Sequence, residues 1–141
     1  MTNAAEGVKD LLVSNGVGVF NANSGWSIQV SRDRDKPDTQ IAVFNTGGDT
    51  PNPAYLLDFP SVQVQVRGDQ NGYLASRAKA QQVKDKLLGL PSFDLNGDRW
   101  VSIRLIGDIV DIGYDGSDRP LHSVNFDLII EPIAGDNRIS L

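Results

Sequence analysis

Residues 59–69 read FPSVQVQVRGD, with Val62, Val64 and Val66 alternating with Gln63, Gln65 and Arg67 between Pro60 and Gly68. A period of two marks a strand with one face turned to a core and the other carrying long polar side chains. Arg67 ends that strand, and Gly68-Asp69 open the loop before a helix. Asp69 or Asn71 is placed to satisfy free N–H groups at that helix's N-terminus. The Arg-Gly-Asp tripeptide is therefore read as turn chemistry, not as an adhesion tag.

Downstream, NGYLASRAKAQQVKDKLLGL is the clearest helix: Tyr73, Ser76, Ala80, Val83 and Leu87 recur at three- and four-residue steps, and Gly89 and Pro91 end it. RWVSIRLIG and LHSVNFDLII then alternate as two further strands, joined by DIVDIGYDGSDRP. Residues 131–141 read as a loose tail. Upstream, Thr2 or Asn3 caps a first helix with Glu6 in capping-box spacing, and Ala5, Val8, Leu11 and Leu12 form its apolar face. Gly7 weakens that helix by about 1 kcal/mol relative to Ala. A short extended VGVF, then SGWSIQVS and QIAVFNT, follow as strand candidates. RDRDKPD between the last two reads as a solvated hairpin connection, and GGDTPNPAYLLDFP as a long irregular link. Helix, strands, helix, strands predicts a single α+β domain over residues 1–141, with two helices packed on one face of a mostly antiparallel β-sheet.

The bulk properties agree. A chain of 141 residues with 40% hydrophobic and 22% charged residues can bury a core, and no apolar run approaches a membrane span. The N-terminus lacks the pattern of a signal peptide, so synthesis in the cytoplasm is expected. The absence of cysteine excludes disulfides and thiolate-bound metals. A net charge of -5 argues against gripping nucleic acid through its phosphates, though not against DNA sliding past an acidic wall.

Catalytic patterns are sparse. The single histidine, His122, stands without a second histidine or cysteine, and neither G-x-S-x-G nor a phosphate-binding loop occurs. Asp94-Leu95-Asn96-Gly97-Asp98 departs from a calcium loop, because Gly97 comes two positions early and Leu105 stands where a glutamate is needed. Asp108, Asp111, Asp115 and Asp118 cluster in one connection, which raises a metal-dependent hydrolase or nuclease as a rival reading. No D/E-x-K lies on a strand candidate to complete it. No catalytic residue, metal or cofactor is therefore assigned.

Three segments in order, QIAVFNTGGDTPNPAYLLDFPSVQVQVRG, NGYLASRAKAQQVKDKLLGL and DIGYDGSDRPLHSVNFDLII, resemble the minor capsid or tail-terminator proteins of long-tailed bacteriophages. The likeness begins near residue 35 and is carried by residues 39–130. It departs at Tyr114, where a basic residue is expected, and at Phe44, where tyrosine is common.

The resemblance implies a structural virion protein of the tail and neck, not an enzyme, assembled in the bacterial host cytoplasm. Such a protein forms a homomeric ring, typically a homohexamer, that caps the tail tube, stops its growth and meets the head connector. Its partners would be its own copies, the tail tube protein and a head-closure protein; DNA passes through without sequence-specific binding, and no membrane is involved. Another neck protein, a head-closure or monomeric tail-completion factor, is the nearest alternative. Gln63, Gln65 and Arg67 would then face a partner or a channel wall, or plain solvent in a monomer, with Asp127 as a potential mate for Arg67. Tyr55, Leu56, Leu57 and Phe59 would form either a contact arm or a loop tucked on its own core. Arg32 and Arg34 in the charged loop, with Asp115 and Arg119 in the G-x-D…R-P loop, complete the expected partner-binding residues.

Overall fold

A computed structural model describes residues 3–141. Its elements run α1 (Ala4–Ser14), β1 (Val19–Phe20), β2 (Ser27–Val30), β3 (Gln40–Asp49), β4 (Phe59–Arg67), α2 (Tyr73–Leu87), β5 (Phe93–Leu95), β6 (Asp98–Leu105), β7 (Val110–Tyr114) and β8 (Pro120–Glu131). One eight-stranded sheet has the order β1-β2-β3-β4-β8-β6-β5, with β7 also paired to β8. The fold is α+β, and both helices pack on the same face of the sheet.

The alternation in β4 places it at the centre. Val62, Val64 and Val66 are fully buried in a core shared with Val8 and Leu12 of α1, Ala80, Val83 and Leu87 of α2, and Trp100, Phe126 and Ile130. Burying each of these valines is worth about 1.5–3 kcal/mol. Asn3 caps α1 as expected, its Oδ1 accepting from the N–H groups of Ala5 and Glu6 at 3.0 and 3.3 Å. Thr2, the other capping candidate, lies outside the described residues. Gly7 has a packing reason beyond its helix propensity: a Cβ there would overlap the Trp100 indole.

Several expectations change. The segment 31–39 does not close a hairpin, because β2 pairs with β3 in parallel and the chain must travel back along the sheet before β3 begins. Thr46-Gly47-Gly48-Asp49 belongs to β3 across a bulge, so the irregular link shrinks to residues 50–58. Gly48 is required there, since its φ is 112° and a Cβ would strike the Phe59 carbonyl. The N-cap of α2 is Gly72 without a side-chain acceptor; neither Asp69 nor Asn71 caps it. Asn96 and Gly97, with φ of 51° and 87°, turn β5 into β6 as a hairpin. Residues 110–114, taken as part of a connection, form β7. The tail is tied down too: the Leu56 N–H donates to the Ile139 carbonyl at 2.9 Å, and Arg138 pairs with Asp58 at 2.6 Å.

Candidate assembly surfaces

On the sheet face away from the helices, Gln63 stands between Phe44 and Asn125, and Gln65 between Ala42 and Ser123. The two glutamines are half-buried, and Gln65 Nε2 donates to Gln63 Oε1 at 3.0 Å. Ser27 and Gln29 of β2 extend the same face, with Gln29 Nε2 donating to Ser27 Oγ at 2.9 Å. Ser27 and Gln29 are buried, so Gln63 and Gln65 form the part-exposed portion of this face, neutral amides that donate and accept hydrogen bonds without strong charge.

Arg67 is not part of that free surface. It is buried, and its guanidinium donates to the carbonyls of Asp38, Arg34, Asp35 and Pro37 at 2.9, 2.6, 3.2 and 2.9 Å. The expected Arg67–Asp127 pair does not form. Six residues of register separate them, and the Asp127 carboxylate accepts from Ser61 Oγ at 2.6 Å. Burial lowers the Arg67 pKa from its usual value, with the nearby Arg119 charge adding to that effect.

Arg119 is a second internal staple. Its guanidinium donates to Asp115 Oδ2 at 2.8 Å, the Asp35 carbonyl at 2.6 Å and Asp38 Oδ1 at 3.1 Å. Burial opposes its charge, yet these carboxylates raise its pKa overall. Asp115 caps its own turn, accepting from the N–H groups of Ser117 and Arg119. The loop 31–39 and the β7–β8 turn are thereby locked together.

Arg32 and Arg34 point elsewhere. Arg34 Nη1 donates to Asn21 Oδ1 at 2.9 Å, and Arg32 is exposed with no ion pair among the described residues. With Phe20 and Val30 they line a cleft of about 380 Å³ beside β1. In the segment 50–58, Leu56 is buried, Leu57 half-buried and Tyr55 exposed, and Phe59 is half-buried at the start of β4. Leu56 is tucked against Gly135, as the reading of a loop packed on its own core expects, while Tyr55 and Ile139 bridge side by side and stay exposed.

The aspartates of the rival reading are each engaged differently. Asp108 accepts from the Ile109 N–H and from Lys84 Nζ at 3.0 Å; Asp111 accepts from Tyr73 Oη at 2.6 Å and Arg77 Nη1 at 3.1 Å. Among the described residues no three histidine, aspartate or glutamate side chains are grouped to hold a metal ion. Ser76, His122 and Asp111 form a row that looks catalytic on paper. Ser76 Oγ lies 2.7 Å from His122 Nδ1, and His122 Nε2 lies 3.2 Å from Asp111 Oδ1 without the alignment of a hydrogen bond. Ser76 and His122 are completely buried, so the row ties α2 to β8 and β7 and offers no nucleophile to a substrate. Burial lowers the His122 pKa against the pull of Asp111.

A profile of the family described as bacteriophage tail terminator protein matches residues 12–132. The chain belongs to the bacteriophage tail terminator family. No curated protein sequence matches it. Among solved structures, a chain from the virion of a native gene transfer agent (GTA) particle is similar, with a TM-score of 0.68. The match covers 91% of this chain and 94% of that one at 14% identity, a likeness of fold. This tail terminator family member is a structural component of the phage virion.

Sequence reasoning missed an exposed apolar strand. In β7, Val110, Ile112 and Tyr114 are 48%, 48% and 59% exposed, and a bulge between Asp111 and Gly113 interrupts its ladder with β8. At the other end of the sheet, Val19 and Phe20 of β1 are likewise open. The signal was present in the alternation V-D-I-G-Y, but its aspartates drew attention to metal chemistry instead of to strand pairing.

Proposed function

We propose that this protein forms a homomeric ring, six-fold in symmetry, that caps the tail tube, halts its growth and presents the surface on which the head connector docks. The observation that carries the proposal is the family match across residues 12–132. The fold suits the task. Its sheet path ends at β1 and β5, and β7, paired only with β8, leaves a further edge open, so β1 and β7 present two different edge surfaces. A contact between unlike surfaces is head-to-tail and closes into a ring when its rotation divides a full turn evenly.

The protein acts by stoichiometric binding, assembling in the host cytoplasm with the tail tube protein and a head-closure partner. The amide face around Gln63 and Gln65 serves as a partner surface or as a wall past which DNA slides. A neutral amide surface neither neutralises phosphates nor repels them strongly, so it imposes little friction on the strand. The segment 50–58, with Tyr55 and the paired tail, serves as the contact arm.

Electron microscopy of the concentrated protein with magnesium, beside its mass in solution, tests the ring. Particles with a central hole near 6 × 15.3 = 91.8 kDa are expected. A strict monomer that also fails to cap growing tail tubes would sink the proposal. Alanine at both Gln63 and Gln65 is expected to alter ring assembly or tail length; no change in either would remove the glutamines from the interface.

A further inference from the structure

We propose that the β7–β8 hairpin of one copy enters the Phe20–Arg32–Arg34 cleft of the next, so that β7 adds antiparallel to the neighbour's β1 edge. The inference rests on the ring reading above and names the contact that would build it. Its first support is charge. Residues 108–119 hold four aspartates against one arginine. Asp108, Asp111 and Asp115 are matched within the chain by Lys84, Arg77 and Arg119, while Asp118 at the turn has no ion-pair partner among the described residues. In the cleft the balance is opposite. Glu6 is paired with Lys9 at 3.3 Å, Arg34 Nη1 donates to the neutral Asn21 Oδ1 and the Ala22 carbonyl, and Arg32 has no ion pair among the described residues. An uncompensated carboxylate on one surface thus has two available guanidiniums on the other.

Shape and hydrophobicity form the second support. Tyr114 at the tip of β7 is 59% exposed, and the cleft is lined by Val30, Arg32, Arg34 and the half-exposed Phe20 ring, over which the Lys9 ammonium sits at 4.6 Å. A tyrosine there stacks on a guanidinium and removes apolar surface from water at both partners. Strand direction is the third. β1, β2 and β3 run one way, β4 the other, β8 with β1, and β7 against it. Copies arranged head to tail therefore bring β7 to β1 antiparallel, the outer edge of each being paired with no further strand among the described residues. Both edges carry exposed apolar residues, Val19 and Phe20 on β1 and Val110, Ile112 and Tyr114 on β7.

The absence of native cysteine makes the test clean. The full-length Phe20→Cys, Tyr114→Cys double variant is concentrated, oxidised and run on a denaturing gel, in parallel with electron microscopy. A ladder of covalent oligomers reaching the ring size, absent from either single variant, is the expected result. As a second reading, Asp118→Arg is expected to reduce ring yield at least about tenfold, the equivalent of about 1.4 kcal/mol per interface, and adding Arg32→Asp to restore it. Rings without a ladder and without charge-swap rescue would overturn this contact while leaving the ring intact, and would assign the hairpin to the tube or head partner. Neither rings nor ladder, in solution and on tail tubes alike, would overturn both.

Discussion

Strand β4 alternates Val62, Val64 and Val66 with polar residues and buries all three valines, whereas β7 alternates Val110, Ile112 and Tyr114 with Asp111 and Gly113 and leaves all three about half exposed. The local patterns are alike; the neighbours differ. β4 lies between β3 and β8 with both helices across one face, so its apolar side chains have a core to enter. β7 holds only a short, bulged ladder on β8 and pairs with no further strand among the described residues. Alternation therefore tells which residues share a face, and sheet position decides whether that face is filled by the same chain or by another.

The largest effect expected from this comparison is at the centre. Val64→Asp puts an unpaired carboxylate in the core and should cost at least about 4 kcal/mol, enough to unfold the protein in a urea titration. A folded Val64→Asp variant would mean that the core is looser than its burial implies. Arg67→Met, at the end of the same strand, strips the carbonyls of residues 34–38 of their donor and should cost about 2–4 kcal/mol by the same measurement. An unchanged midpoint would show that Arg119 holds the loop alone.

His122 sharpens the comparison, because it lies where β8 meets β7. Its folded pKa is below the unfolded value of 6.5, so the unfolded chain takes up a proton first as pH falls. Stability present at neutral pH should decline below about 6.5, with a slope of at most about 1.4 kcal/mol per pH unit from this one group. Asp111, held below the ordinary carboxylate pKa chiefly by the Tyr73 hydroxyl, extends the loss as pH falls further below 3.8. Thermal unfolding between pH 8 and 5 reads the His122 part, and a His122→Gln variant should flatten it. A flat profile in the parent chain would place the imidazole in contact with water.

The smallest effect on folding is predicted at the edge. Ile112→Asn should leave the stability of the monomer within about 0.5 kcal/mol while lowering the yield of assembled rings. If it destabilises the monomer as Val64 variants do, β7 is packed in a way its exposure does not reveal.

The order of helices and strands, the central strand, both apolar helix faces and the Asn3 cap were legible in the sequence because each follows from local periodicity. The parallel pairing of β2 and β3 was not, since a charged nine-residue loop gives no sign of which way the chain returns. Nor was the role of Arg67 and Arg119. Their partners are mostly main-chain carbonyls 29–33 and 84 positions away, and a carbonyl has no sequence signature. The glutamines of β4 and the arginines of the cleft were readable as residues but not as separate surfaces, because the dividing element is the folded-over loop itself.

Arg119 has a consequence for number. It clamps the turn of the β7–β8 hairpin to the loop whose other side chains wall the Arg32–Arg34 cleft. The proposed knob and socket of one copy are thus joined through one side chain, not two appendages on springs. In a closed ring built from such pieces, the count of copies is a full turn divided by the angle between knob and socket. That angle is held by a guanidinium shared between Asp115, Asp38 and the Asp35 carbonyl. In the proposed ring, the same side chain that stabilises a turn would also act as a protractor.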